Sequence, residues 1–381
     1  MELIHREILS RIEKKIQPGK VIMITGARRT GKTWLLKELI RKTKAPYLHL
    51  NGEDLITEDL LLRKGIAEYR QLLGRRKYLF IDEAQKISDI GRILKVMIDE
   101  IEGLHIIVTG SSAFDLTNKT GEPLTGRKYT YNLYPLAQCE LQPYENLVET
   151  KSLLESRLLY GSYPEVLAME STQEKQEYLM ELASSYLLKD ILAIDQIRNS
   201  SRLVHILRLI ALQIGNEVSY NEIAQQVGMS KNTVERYLDL LSKVFIIFRI
   251  DGYSRNLRKE IAKAPRYYFW DTGVRNVLIA NFNLLSSRND AGALWENYLI
   301  SERLKLQHYK GWLSNNYFWR TYDQQEIDWI EERGGKLRGY EMKYGNKPAK
   351  APAAWHKTYP DANFQLINRD NYLNFLSRQE L

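Results

Sequence analysis

With 381 residues, 44% of them hydrophobic and 27% charged, the chain has length for two or three domains with packed cores, and wholesale disorder is excluded. The longest apolar runs, such as Val21–Ile24 and Val244–Phe248, fall far short of the ~20 residues that cross a bilayer, the first residues lack the pattern of a secretory signal, and the single cysteine, Cys139, excludes an internal disulfide or a zinc site of paired cysteines. The net charge of +8 is concentrated, since Ser201–Arg275 holds 12 basic and 7 acidic residues, which suits a polyanionic partner and equally an ordinary solvated face. A cytoplasmic protein with no membrane contact is expected.

Residues 1–150 alternate short β-type runs with amphipathic helical stretches. The expected strands are Lys20–Thr25, Pro46–Leu50, Lys77–Asp82, Leu104–Thr109 and Lys128–Leu133, with helices such as Thr33–Thr43 and Ile90–Glu102 between them. This alternation predicts an α/β fold, a parallel sheet with helices on both faces. After the first strand, Gly26-Ala27-Arg28-Arg29-Thr30-Gly31-Lys32-Thr33 fits G-x-x-x-x-G-K-[ST] in full and leads into a helix. Glycines let the backbone close around phosphates, and amides at a helix N-terminus point at the anion. Lys32 supplies a point charge to the β- and γ-phosphates, and Thr33 offers a hydroxyl to Mg2+. All eight residues, Gly26 to Thr33, are expected to bind ATP, with Mg2+ as the accompanying ion.

The third strand, Tyr78-Leu79-Phe80-Ile81, ends in Asp82-Glu83, at the edge where open α/β sheets bind ligands. Asp82 would hold Mg2+, and Glu83 would orient and deprotonate the attacking water. The plainer reading is that these acids start a helix. The fourth strand ends in Gly110-Ser111-Ser112, where Ser111 would touch the γ-phosphate or the water, unless the segment is a simple turn. Arg127, just before the fifth strand, would offset transition-state charge on a neighbouring subunit's nucleotide if the chain forms a homo-oligomer. Otherwise it is a surface arginine.

The phosphate loop, the strand ending in Asp82-Glu83, the strand ending in Thr109-Gly110-Ser111 and the Gly126-Arg127 pair together resemble the AAA-type branch of P-loop ATPases. Leu133–Glu140 is similar to the family's proline-containing exit from strand five, and Tyr160-Gly161-Ser162-Tyr163-Pro164 to the G-x-x-P turn of a following helical segment. The resemblance is to a prokaryotic family. It implies an ATPase domain over 1–150, a helical segment over 151–199, a winged helix over 200–275 and a PD-(D/E)XK-nuclease-like domain over 276–381.

Tyr220–Asp239 reads as a helix-turn-helix by its own pattern. Ile223, Ala224, Val227, Met229, Val234 and Leu238 form the apolar side, Gly228 permits the turn, and Ser230 caps the second helix. Lys231, Asn232, Thr233 and Arg236 then face outward, residue types suited to base edges and phosphates in a major groove. The following strands and the segment Tyr253–Tyr268 would form a wing, with Arg255, Arg258, Lys259, Lys263 and Arg266 interleaved by Tyr253 and Tyr267. Duplex DNA is the expected partner. A packing module or a protein-binding surface is the other reading.

In the last hundred residues carboxylates fall in a suggestive order. Glu296 lies in a helix, Asp328 in the strand Glu326–Ile330, and Glu341 and Lys343 in the strand Leu337–Lys343. Asp328 alternates with apolar Ile327 and Trp329, and Glu341 and Lys343 share a strand face. If the strands pair as a hairpin, the acids would hold one or two Mg2+ ions and the lysine would position water. This E…D…E-x-K order resembles the PD-(D/E)XK core, with Ile327 where proline often stands; a binding platform that cleaves nothing is the alternative. The six histidines are scattered and show no ligand spacing. The whole reads as a Mg2+-dependent ATPase coupling nucleotide state to a DNA-binding winged helix and a nuclease-like domain. The alternative is a slow nucleotide-dependent switch that binds a protein partner.

Overall fold

The computed structural model describes residues 4–62, 64–110, 124–187, 200–254, 264–345 and 348–377. They fall into two compact units, one built on the chain up to Pro135, the other on the chain from Leu136 onward apart from short segments.

The first unit is a five-stranded parallel sheet. Its elements are α1 (Leu9–Glu13), β1 (Val21–Thr25), α2 (Lys32–Lys42), β2 (Tyr47–Asn51), α3 (Leu55–Leu61), α4 (Ile66–Leu73), β3 (Tyr78–Asp82), α5 (Ile90–Glu100), β4 (His105–Gly110) and β5 (Lys128–Asn132). Each expected strand is present to within a residue or so at either end. The spatial order is β2-β3-β4-β1-β5, all parallel. β1, β3 and β4 are apolar almost throughout because a central parallel strand is covered on both faces, whereas the edge strand β2 is largely exposed. α5 buries Ile90, Ile93, Leu94, Met97 and Ile98, the spacing of one helical face, against Leu79, Ile81, Ile106 and Val108.

After a single helical turn at Gln138–Leu141, the second unit continues with helices α6 (Leu147–Tyr160), α7 (Pro164–Ala168) and α8 (Thr172–Glu181). Three more follow: α9 (Ser200–Leu212), α10 (Tyr220–Val227) and α11 (Lys231–Lys243). Then come β6 (Ile247–Gly252), β7 (Arg266–Phe269), α12 (Thr272–Leu278), α13 (Ala291–Lys310), β8 (Asn315–Arg320), β9 (Glu326–Arg333), β10 (Lys336–Met342), α14 (Ala353–Thr358), β11 (Asn363–Ile367) and α15 (Tyr372–Ser377). The strands form one six-stranded sheet, β11-β10-β9-β8-β6-β7. β6 pairs antiparallel with β7 and, through Asp251 and Gly252, parallel with β8. Backbone hydrogen bonding therefore runs unbroken past Arg275, where the sequence suggested a boundary.

Two expectations about single strands are corrected. Arg266 and Tyr267, read as exposed wing residues, are both buried at 3% exposure, because β7 is packed within this unit instead of standing free. The alternation around Asp328 also fails: Ile327 through Glu331 are all buried. The pairing of β8 with β9 steps from Tyr317↔Ile330 to Trp319↔Ile327, two residues against three, so β9 carries a bulge at Asp328-Trp329. Ile327 and Ile330, three apart, consequently share one apolar cluster with Trp319 and Trp355.

Among the described residues no helix is long and apolar enough to cross a membrane.

Candidate functional site

The loop 26–33 leaves β1 at the sheet's C-terminal edge and opens α2. A side chain at Gly26 would collide with the Leu133 carbonyl that follows β5, so only glycine lets the two backbones pass this closely. Gly31, at φ 95°, caps α2 in the left-handed region. Thr30 Oγ1 donates to the Ala27 carbonyl at 2.8 Å and tightens the turn. Lys32 is buried, and its Nζ donates to the carbonyls of Gly26 (3.1 Å) and Ala27 (2.9 Å), which holds a cation within the curve of the loop. Thr33, Arg29 and, in part, Arg28 are exposed. Arg6, which sequence reasoning missed, is buried and braces the loop: its guanidinium donates to the Thr30 carbonyl at 2.6 Å and the Tyr134 carbonyl at 2.8 Å. An arginine 24 residues before its partner offers no local signal.

The acidic pair lies at the same edge. Since β4 separates β1 from β3, Asp82 stands two strand spacings from the loop, about 10 Å. Register places Thr109 of β4 beside Ile24 of β1 on one side and next to the end of β3 on the other. Its hydroxyl donates to Asp82 Oδ1 and accepts from the Glu83 amide at 3.0 Å. Glu83 adopts a left-handed backbone, φ 48°, a conformation that costs of order 1 kcal/mol for a residue with a side chain. It begins a short 3-10 turn instead of a full helix, and Gln85 Nε2 donates to its Oε2 at 2.5 Å. Gly52, after β2, passes against the Glu83 carbonyl where a side chain would clash.

Ser111 lies outside the described residues. Arg127 precedes β5 at the opposite edge of the sheet, where its carbonyl accepts from the first amide of β1, five residues of strand from the loop. Its half-exposed guanidinium meets Asp99 at 3.2 Å. Arg127 is thus kept apart from the loop 26–33 by the length of the strand.

In the second unit, α10 ends at Gly228 in the left-handed region and α11 begins at Lys231, the turn that the glycine was expected to make. Ser230 Oγ accepts from the Thr233 amide at 3.2 Å. Lys231, Asn232 and Arg236 are exposed, while the Thr233 hydroxyl is engaged by Ser230 at 2.8 Å. Arg255, Arg258, Lys259 and Lys263 lie outside the described residues.

The C-terminal carboxylates lie within electrostatic reach of one another. β9 and β10 form the expected hairpin, with Trp329 opposite Tyr340. Asp328 Oδ2 accepts from the Met342 amide at 2.8 Å, Glu341 pairs with Lys343 at 2.5 Å, and Glu296 of α13 accepts from Tyr268 Oη at 2.7 Å. Burial, then the mutual proximity of Glu296, Asp328 and Glu341, pushes the Asp328 carboxyl well above the usual range. Burial also raises Glu296. For Lys343, burial acts downward, but the surrounding carboxylates outweigh it and strengthen its hold on the proton. Arg266 is an unforeseen member: it lies 3.7 Å from Glu296 and 3.0 Å from Glu326, with its guanidinium over the Phe318 ring. Gly215, in the loop before α10, also abuts Glu296, so the helix–turn–helix and the cluster share a border. Among the described residues no three His, Cys, Asp or Glu side chains converge closely enough to hold a metal ion as they stand.

Three family models match the chain: an AAA domain over residues 18–142, a domain of unknown function (DUF8612) over 151–285, and a second one (DUF4143) over 291–372. The first unit is therefore an AAA-type P-loop domain. Relatives similar along most of their length are uncharacterized proteins. One is Rv2008c of Mycobacterium tuberculosis, 25% identical over 90% of this chain and 75% of its own. Another is MJ1544 of Methanocaldococcus jannaschii, 26% identical over 94% and 82%. Among solved structures, a RuvB mutant of Thermotoga maritima aligns at 16% identity over 69% of this chain and 96% of its own, with TM-score 0.29. A Pif1 helicase from Bacteroides in complex with ADP-AlF3 and ssDNA aligns at 18% over 49% and 51%, with TM-score 0.28. Both scores are low, and the class rests on the AAA-domain match and the geometry of the loop.

Proposed function

We propose that the protein is a Mg2+-dependent ATPase that couples its nucleotide state to DNA binding by the helix–turn–helix and to the carboxylate-bearing C-terminal sheet. The observation that carries this reading is the Thr109 hydroxyl, which ties Asp82 and Glu83 together at the sheet edge where the loop opens. Two features of the loop support a phosphate ligand: a Cβ at Gly26 would collide with the Leu133 carbonyl, so the tight path of the loop needs glycine there, and the amides of a helix's first turn have no intrahelical partner. Bound ATP and Mg2+ supply the scissile phosphoanhydride and the neutralising charge. Thr33 and Asp82 would hold the ion. Lys32 exchanges the loop carbonyls for phosphate oxygens, and the other loop residues present backbone amides. Glu83, oriented by Gln85, accepts a proton from the attacking water. Ser111 would contact the γ-phosphate, and Arg127 would act across a homo-oligomer.

Lys231, Asn232, Thr233 and Arg236 would enter a DNA groove, with Arg255, Arg258 and Lys259 on the backbone. Glu296, Asp328, Glu341 and Lys343 would form the nuclease-like site. A second reading, a slow nucleotide-dependent switch for a protein partner that cleaves nothing, is favoured by one feature. Arg266 lies 3.7 Å from Glu296 and Lys343 pairs with Glu341, so two of the clustered acids already have cationic partners within the protein.

Hydrolysis of ATP and cleavage of DNA, measured side by side, test both. Lys32→Ala should lose hydrolysis, duplex DNA should stimulate the wild type, and Glu341→Ala should lose metal-dependent cleavage while keeping hydrolysis. Indifference to DNA, with no cleavage in Mg2+ or Mn2+, selects the switch. Calorimetry showing no ATP binding would sink both readings.

A further inference from the structure

The C-terminal sheet also carries a cation-rich pocket apart from the carboxylate cluster. It opens beside the β9–β10 hairpin with a volume of about 250 Å³, lined by Arg303, Arg333, Lys336 and Arg338 together with Asn363 and Asn374. Arg333 lies five residues beyond Asp328 on β9, a separation of about 16 Å along the strand.

The hairpin register sets Arg333 directly opposite Lys336, on either side of the Gly334-Gly335 turn. Like charges facing each other across a ladder destabilise the pair. The fully buried Glu331 is shared among these cations: the Arg303 fork grips it at 2.5 and 2.9 Å, Arg338 stands opposite it in the ladder, and Arg333 lies near enough to help hold its carboxyl down, while Arg303 also donates to the Phe375 carbonyl at 2.6 Å. No carboxylate lines the pocket among the described residues. Arg333 lies over the Trp312 ring at 4.3 Å, so its guanidinium is held in place, yet its Nη1 is buried without a hydrogen-bond partner. A buried donor left unmade is costly and calls for an explanation. A rigid arginine fork, an adjacent lysine and neutral amide donors together match a tetrahedral dianion better than a single carboxylate. At about 30 Å³ per water, the space admits a phosphate with its adjoining ester group and a few waters.

We propose that this pocket binds a terminal phosphate group, the dianion of a phosphate monoester. A free mononucleotide and the phosphorylated end of a nucleic-acid strand both present that chemistry.

The test uses the full chain carrying Lys32→Ala, so that the P-loop contributes least. Calorimetry with AMP forms one arm. Fluorescence anisotropy of a short labelled single strand, with either a 5′-phosphate or a 5′-hydroxyl, forms the other. At least one monoester should bind, and whichever arm responds identifies the source. Arg333→Gln with Lys336→Gln should weaken that binding tenfold or more, Arg333→Lys should weaken it less, and succinate should not compete. Lys336 is exposed, so Lys336→Gln alone, expected to weaken binding about threefold, serves as the control against misfolding. The proposal fails if neither monoester binds, if the double variant binds unchanged, or if AMP does not bind and the strand binds equally with and without its phosphate.

Discussion

Replacing Thr109 by valine keeps the side chain's shape and removes a single hydroxyl. That hydroxyl makes two bonds, a donation to the Asp82 carboxylate and an acceptance from the Glu83 amide. A hydrogen bond to a charged group contributes about 1.5–3 kcal/mol and a neutral one about 0.5–1.5. Asp82 is only 6% exposed, so water replaces the lost donor poorly, and a loss of about 2–4 kcal/mol is expected. At about 2–4 °C per kcal/mol for a domain of this size, thermal unfolding should shift down by roughly 5–15 °C. The functional effect should be selective. ATP affinity, which the proposed function assigns to the loop, should change less than about threefold. Turnover should fall about 10- to 100-fold, because misplacing a catalytic group by about an ångström has that effect. Calorimetric unfolding, calorimetric ATP binding and a phosphate-release assay on one preparation read all three quantities, and Thr109→Ser should restore most of each. A valine variant that melts within a degree of wild type and turns over ATP equally fast would refute the bridging role.

Further outcomes follow from the same geometry. Gly26→Ala drives a methyl group into the Leu133 carbonyl and should abolish nucleotide binding in a protein that still folds; retained affinity would show that the loop closes differently. Asp328→Asn tests the buried acid. Its carboxyl titrates higher in the folded chain than in the unfolded one, chiefly through burial, so the folded state loses stability as pH rises through that window. The asparagine variant should melt above wild type at pH 8, with the gain vanishing below about pH 4, where both states are protonated; equal melting at pH 8 would contradict the burial argument. If α11 contacts DNA phosphates, Lys231→Gln with Arg236→Gln should flatten the slope of log affinity against log salt by about 2, one per lost contact. An unchanged slope in a gel-shift titration would move the interface elsewhere.

The loop 26–33, the five strands of the first unit and the turn at Gly228 were legible because each is written in contiguous residues. A motif, an apolar run and a single glycine need no distant partner to be recognised. The order E…D…E-x-K likewise pointed to a cluster, and Glu296, Asp328, Glu341 and Lys343 do approach one another. Arg266 was misread for the complementary reason. An arginine in a basic stretch looks solvated, and only the pairing of β7 within the unit buries it beside Glu296.

The bridging role of Thr109 and the bracing role of Arg6 were not legible because each acts on residues 24 or more positions away, Thr109 on Asp82 and Arg6 on Thr30 and Tyr134. The sequence by itself determined which segments become strands and helices and where the glycine-rich loop leaves β1 for α2, since backbone propensity and side-chain period are local properties. Tertiary structure alone decided the strand order that lays Thr109 between the loop and the acidic pair. It also decided the bulge that breaks alternation at Asp328 and the facing cations of the hairpin. Those depend on register between chains of residues brought together only by folding, and a one-residue slip in register would change every such neighbour.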